Sequence, residues 1–315
     1  MTFSKKAAIL GLLRNAPGIV SGETLSRQTG ISRVSVWKHI RALQTLKYAI
    51  EAGATGYRLK NAPDALFAWE FGRREPRIHY YGTLDSTMTP ARKLARANCP
   101  AFSVVVAEQQ THGRGRLDRR WDSTKGGLYF TVVLHPRISP LQSARVNLYA
   151  GLVLVETLQE HLGVAAAVKW PNDILVEEHK LAGMLSEMET EGDLVSFINI
   201  GMGINVNNDP TGNEFNAVSL KQILGHSVAR KPLLEAFLDR LEAGFGQAAD
   251  DDVIARWKAK TITLNRQVTV VTHNRTVRGL AVGLDPSGAL VLQQADGSTV
   301  MVTHGDCFHG DITQP

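Results

Sequence analysis

Residues 169–187 read KWPNDILVEEHKLAGMLSE, and the chain is best understood outward from them. Lys169 and Asp173 flank Pro171, which with Asn172 marks a turn, and Trp170 beside it is a candidate core residue. Lys180 stands just before the small pair Ala182 and Gly183, so an ammonium is placed where a backbone can come close. A turn held by a buried tryptophan accounts for several of these residues without any chemistry.

Towards the C-terminus, the strand-like run Val195–Ile200 leads into GMGIN, residues 201–205. Two glycines after a strand are a weak nucleotide signal, and with neither a GxGxxG nor a Walker A sequence in the chain, Rossmann and P-loop readings fail. Towards the N-terminus, Ser103–Ala107 and Leu128–Leu134 are β-rich and Ala144–Leu162 has the pattern of a helix. The expectation is a mixed α/β sheet with helices covering one face.

Two further polar clusters interrupt this body at the ends of apolar elements, where loops set functional groups beside a rigid frame. The stretch 108–121, EQQTHGRGRLDRRW, carries Arg114, Arg116, Arg119 and Arg120 within seven residues, next to Gly113 and Gly115. Glycines permit close ligand approach and guanidiniums fork onto phosphate oxygens, so the stretch reads as an anion loop. A nucleic-acid patch or a solvated basic loop has the same composition. In DSTM, residues 85–88, Ser86 and Thr87 serve either a ligand or the cap of a helix continuing through Ala91 and Leu94.

The formal charge of +5 is unevenly placed. Residues 1–60 hold ten Lys or Arg against Glu23 and Glu51, an excess of eight, whereas the remainder is slightly acidic. Within the basic segment, Ile9, Leu12 and Leu13 are spaced as on a helix that Asn15, Pro17 and Gly18 end. A second helix starts at cap Ser21 and stops at Gly30; a third starts at cap Ser32, with Val36, Ile40 and Leu43 on one face. Tyr48–Leu59 reads as a hairpin. Three helices and a hairpin make a winged helix-turn-helix whose third helix would read DNA through Ser32, Arg33, Ser35, Lys38 and Arg41. In isolation, such cations also suit a merely solvated helical face.

No apolar run reaches the roughly 18–20 residues of a membrane helix, and Cys99 and Cys307 are far apart without CxxC spacing, against a disulfide framework or a zinc site. A cytoplasmic protein without a membrane or metal site is expected. Asn61–Arg77, with Pro63, Pro76 and FAWEF, reads as a linker with a short helix, and Lys231–Trp257 as an amphipathic helical connector. From about Thr263, the runs QVTVVT, TVRGLAVGL, ALVLQQ and STVMV are separated by DPSG and DG turns and suggest a small β barrel. The expected architecture is α+β: a winged helix-turn-helix over 1–62, a linker over 63–77, a sheet domain over 78–262 and a barrel over 263–315.

Taken in order, DST, GRGR, KWPND, KLAG and GxGIN, behind a winged helix, resemble the bifunctional biotin protein ligase and biotin operon repressor family over nearly the whole chain. The resemblance implies a biotin/lipoate-ligase-type catalytic domain, an SH3-like C-terminal domain, and a reaction in two steps. Biotin and ATP, with Mg²⁺, give biotinyl-5′-adenylate and pyrophosphate; biotin then passes to a lysine of the biotin carboxyl carrier protein of acetyl-CoA carboxylase. It further implies that Ser86, Thr87, Gln110, Gly113 and Arg114 hold biotin, and that Arg116 and Lys180 lie along its carboxyl and the phosphate. Arg119, Arg120, Trp121, Asn172 and Asn205 join them at the nucleotide, Trp121 packing on adenine and Asn205 meeting its edge. Lys180 is the expected main electrostatic stabiliser and Asp173 orients or deprotonates the target lysine, or merely holds its turn. The arginine loop is expected to close over the ligand. Operator DNA bound by an adenylate-loaded homodimer is the other implied partner. The sequence departs from the family pattern at Met88, where Asn is usual, and at His112, where a small residue is common. A lipoate-type ligase and a non-catalytic metabolite-sensing repressor are the alternatives.

Overall fold

Each of the first three helices starts at a serine that satisfies one of the amide groups a helix leaves free. In the computed structural model, which describes residues 4–117, 119–211, 216–247 and 252–310, Ser4 accepts from the Ala7 amide ahead of α1 (Lys5–Asn15). Ser21 does the same from Thr24 ahead of α2 (Gly22–Thr29), which ends at Gly30 with φ 66°. Ser32 accepts from Ser35 ahead of α3 (Arg33–Thr45). Their apolar stripes, including Ile9, Leu13, Leu25, Val36, Ile40 and Leu43, bury one another. The hairpin of β1 (Ala49–Gly53) and β2 (Gly56–Asn61) follows. Gly56 is obligatory at its turn: φ is 142°, and a Cβ there would meet the Val20 carbonyl oxygen at 2.2 Å.

The chain divides into two compact units between Ile78 and His79. Residues 63–77, expected as a linker, instead fold into the first unit as two short 3-10 turns, with Leu66 and Phe71 buried. Glu70, also buried, accepts two bonds from Arg14 and one from the Tyr48 hydroxyl. A buried carboxylate needs such partners, and they fix this segment to α1 and to the start of the hairpin.

In the second unit, β3 (Ile78–Leu84), α4 (Met88–Arg96), β4 (Ser103–Gln110), β5 (Leu128–Leu134) and α5 (Ser143–Leu162) come first. They are followed by β6 (Ala166–Lys169), β7 (Asp173–Val176), β8 (His179–Glu191) and β9 (Leu194–Ile204). The described residues pair as a mixed sheet of order β3-β4-β5-β9-β8-β7-β6. Side chains alternate across a strand, so the β8–β9 register sorts the two faces. Met184 opposes Met202, and the Met184 methyl lies 3.0 Å from where a Cβ on Gly151 of α5 would sit. Leu185 opposes Gly201, and Gly201 meets Met88 of α4 from the other side. Helices therefore occupy both faces, correcting the one-face expectation: α4 is small enough to share its face with a cavity.

Three helices complete the frame: α6 (Leu220–Leu224), α7 (Arg230–Gly244) and α8 (Asp252–Lys260). The stretch expected as a connector is mostly α7 and α8, which pack on α5 through buried Leu233, Phe237, Leu241 and Trp257. Residues 248–251 of that stretch lie outside the described residues. The C-terminal strands β10 (Gln267–Val271), β11 (Thr276–Leu284), β12 (Leu290–Gln293), β13 (Thr299–Val302) and β14 (Asp306–His309) form an antiparallel sheet of order β13-β12-β11-β10-β14. The Trp170 indole donates to the Gly288 carbonyl and its amide to Thr263 Oγ1, tying this sheet to the turn at Pro171.

Candidate active site

The cavity, about 640 Å³ in volume, opens where the α4 face of the sheet runs out of side chains. Gly183 of β8 opposes Gly203 of β9, with Gly201 beside it, so the floor is bare backbone. Trp121 lies across it: a Cβ on Gly203 would fall 2.3 Å from Trp121 Nε1, and one on Gly183 2.9 Å from a ring carbon. The GMGIN glycines thus belong to the strand itself, and their smallness admits an indole and leaves the cavity open rather than forming a phosphate-binding turn.

Lys180 enters from the start of β8, where its backbone is held on both sides. Its amide donates to Asn216 and its carbonyl accepts from Val218, while Leu175 pairs with it across β7. The ammonium lies 3.4 Å from Asp173 Oδ1 and 5.2 Å from the centre of the Trp121 ring. It thus lies between a carboxylate and an aromatic face, within reach of the cavity.

The arginine loop is a tight irregular hairpin. Gly113 and Trp121 are joined by a 2.9 Å bond, as are Gly115 and Arg119 at 2.7 Å. A Cβ on Gly113 would strike the Trp121 carbonyl at 2.3 Å, so that glycine serves the fold of the loop and, unlike Gly115, does not line the cavity. Arg116 Nη1 donates to Asn172 Oδ1 at 3.2 Å and to the Gly305 carbonyl at 3.0 Å. Burial pulls its guanidinium below the usual range, against the opposing pull of Asp306 and Asp173. Arg119 pairs with Asp306 at 2.5 Å, Arg120 donates to the Thr111 carbonyl, and Arg114 lies 3.7 Å from Glu187. At the far end, Gln110 Oε1 accepts from the Thr87 amide and hydroxyl, and its Nε2 donates to Ser123.

Ser86, Thr87, Gln110, Arg114, Arg116, Arg119, Arg120, Trp121, Asn172, Asp173, Lys180 and Asn205 all line this one cavity. Asn205 is almost fully buried, with its oxygen accepting from Asn208. Two neighbours of these residues, Thr131 and Asp306, were not foreseen. Thr131, buried in β5, donates to Thr87 Oγ1 at 2.8 Å. A lone threonine within LYFTVVL was its only signal. Asp306, from the far end of the chain, sits in β14, a strand too short and polar to stand out in DCFH. Met88 fills the gap over Gly201 and approaches Thr131 through its sulfur, so an apolar thioether stands where an amide is usual. His112 Nδ1 meets the Thr111 hydroxyl, and its ring is not among the groups lining the cavity.

In the N-terminal unit, Arg33, Lys38 and Arg41 are exposed on α3. Ser32 Oγ is committed to the helix cap and also meets Ser35 Oγ at 3.0 Å, so these two serines support the helix start.

Comparison with known proteins agrees with this division. Residues 81–205 match the Biotin/lipoate A/B protein ligase family, 263–310 the Biotin protein ligase C terminal domain, and 5–58 an HTH domain. The bifunctional ligase/repressor BirA of Bacillus subtilis is 34% identical over 300 residues, covering 88% of this chain and 90% of its own. The biotin–[acetyl-CoA-carboxylase] ligase of Paracoccus denitrificans is 33% identical over 231 residues, 69% of this chain and 94% of its own. Among solved structures, the Aquifex aeolicus biotin protein ligase in complex with biotin and ATP aligns with a TM-score of 0.63 at 29% identity, over 74% of this chain and 98% of the other. The chain belongs to the biotin/lipoate A/B protein ligase family, in the group that joins ligase and repressor in one polypeptide.

Proposed function

We propose that the cavity joins biotin to ATP as biotinyl-5′-adenylate and passes biotin to a lysine of the carboxyl carrier protein of acetyl-CoA carboxylase, while the N-terminal unit represses transcription at an operator. The observation that carries the reading is that Arg116 and Lys180, 64 positions apart in sequence, face one cavity. In the first step a carboxylate oxygen attacks the α-phosphorus and pyrophosphate leaves. Two anions must approach, so fixed cations already in place lower the barrier most. Lys180 and Arg116 meet the developing charge, with Arg119 and Arg120 along the phosphates and Arg114 nearer the biotin end. Ser86, Thr87 and Gln110 supply donors and acceptors for the ureido head, and Trp121, Asn172 and Asn205 flank the adenosine. In the second step the target amine attacks the acyl carbon and AMP leaves; Asp173, 3.4 Å from Lys180, orients that amine or takes its proton.

Magnesium fits as part of the nucleotide complex, drawing most of its ligands from phosphate and water. Asp122, Asp173 and Asp306 are the cavity carboxylates; Asp306 is paired with Arg119, so Asp122 and Asp173 would assist it. Bound there, the ion would offset charge on the phosphates. The same reading places the protein in the cytoplasm, where Cys99 and Cys307 stay reduced, and makes the adenylate-loaded form a homodimer on DNA. Among the described residues no helix is long and apolar enough to cross a membrane.

Pyrophosphate release is the direct test. Biotin should support it, and transfer to a carrier domain should follow. Release with lipoate or octanoate instead assigns a lipoate-type ligase; binding of biotin without release assigns a non-catalytic sensor.

A further inference from the structure

The reading helix carries more than cations. Val36, Ile40 and Leu43 turn one side of α3 into the core. Val34, Trp37, Lys38 and Arg41 follow one another at helical spacing along the outer side. Val34 is 64% exposed and Trp37 49% exposed. The indole is held in place: the Arg41 guanidinium stands 5.6 Å over the ring, and clefts against the hairpin open on either side of it. A fixed apolar strip facing water is explained by a partner that covers it.

Charge selects the partner. The first 60 residues carry the excess of eight positive charges, and Arg33 and Lys38 on either side of the strip have no carboxylate partner among the described residues. A duplex satisfies these cations with phosphate, and it offers an apolar group in the major groove, the 5-methyl of thymine. The N-terminal residues of a recognition helix are those that reach base edges, and Val34 is the second residue of α3. We propose that Val34, extended by Trp37, is an apolar reading edge that recognises thymine methyl groups in the operator. The proposal rests on the DNA-binding reading of this unit and adds to it a base preference that the cations alone do not supply.

Replacing thymine by deoxyuridine removes the methyl and nothing else. Binding sites are first selected from a random duplex library with the full-length protein, biotin and ATP; each thymine of the selected site is then replaced in turn. Binding should weaken about threefold to fivefold at one position per half-site, the worth of one buried methyl. Val34→Ala, whose β-methyl falls short of the base edge, should bind the thymine and deoxyuridine sites alike, and Val34→Thr, which keeps a γ-methyl, should still distinguish them. Unchanged far-ultraviolet circular dichroism and melting show that the variants fold. A selected site indifferent to every methyl, or a Val34→Ala protein that keeps the penalty, overturns the proposal while DNA recognition stands. A library that converges on no sequence overturns both.

Discussion

The N-terminal helices and the cavity are built in opposite ways. Each helix start is fixed within three residues of chain, Ser21 to Thr24 or Ser32 to Ser35, whereas the cavity draws its polar groups from residues as far apart as Ser86 and Asp306. Arg116 alone binds Asn172 and Gly305 through one nitrogen. Local construction makes a rigid reading surface that tolerates changes elsewhere. Distant construction makes the cavity's charge cluster depend on the packing of the whole second unit.

That contrast predicts where damage is largest. Lys180→Ala should lower adenylate formation about 10²- to 10³-fold, the usual cost of removing one preorganised electrostatic group. A wild-type rate of pyrophosphate release would reject the role. Gly203→Ala keeps every charge but sets a methyl against Trp121, 2.3 Å from its nitrogen in the present arrangement. Overpacking of this kind costs roughly 1–3 kcal/mol, so affinity for an adenylate analogue should fall about fivefold to 150-fold with DNA contacts untouched. Titration calorimetry giving unaltered affinity would show that the glycine floor does not shape the site.

The same contrast explains how much was legible. Caps, stops and periodicity are local, so α1 to α3 and the hairpin could be read nearly residue by residue. The cavity lining could be named only because its motifs resemble a known family; composition showed an arginine-rich loop without its partners. Asp306 and Thr131 were missed because neither has a local signature: one gains meaning from Arg119, across the unit, the other from Thr87. Residues 63–77 looked like a linker because Pro and charge dominate there, while the bonds that dock Glu70 come from Arg14 and Tyr48. The bare floor was visible as glycines, but that Gly201 and Gly203 lie inside β9 depended on the pairing of three strands.

On the local side, Arg33→Ala with Lys38→Ala should weaken operator binding and flatten its salt dependence by about 1.8 in log-log slope per protomer, about 3.6 for the homodimer, if each cation meets one phosphate. Ligation should be unaltered. Equal loss of both activities would break the separation between the two kinds of construction.

The smallest expected effect concerns His309, in the C-terminal strand next to the cavity. Its Nε2 is buried without a hydrogen-bond partner, and burial first, then the positive charges of Lys169 and Arg266, push its pKa down from 6.5 to about 4. Well above 6.5 the imidazole is neutral whether the chain is folded or not, and the fold keeps its full stability. As the pH falls from 6.5 towards about 4, the unfolded chain takes up a proton that the folded one refuses, and stability is lost across that window. His309→Gln, which does not titrate, should therefore melt with a shallower fall over this range than the parent protein, whatever the absolute melting temperatures. Melting curves that descend in parallel would show that His309 is protonated as readily in the fold as in water. Because the N-terminal unit lacks this group, the extra acid sensitivity should appear in the unfolding of the catalytic unit and leave the helix signal of the first unaltered.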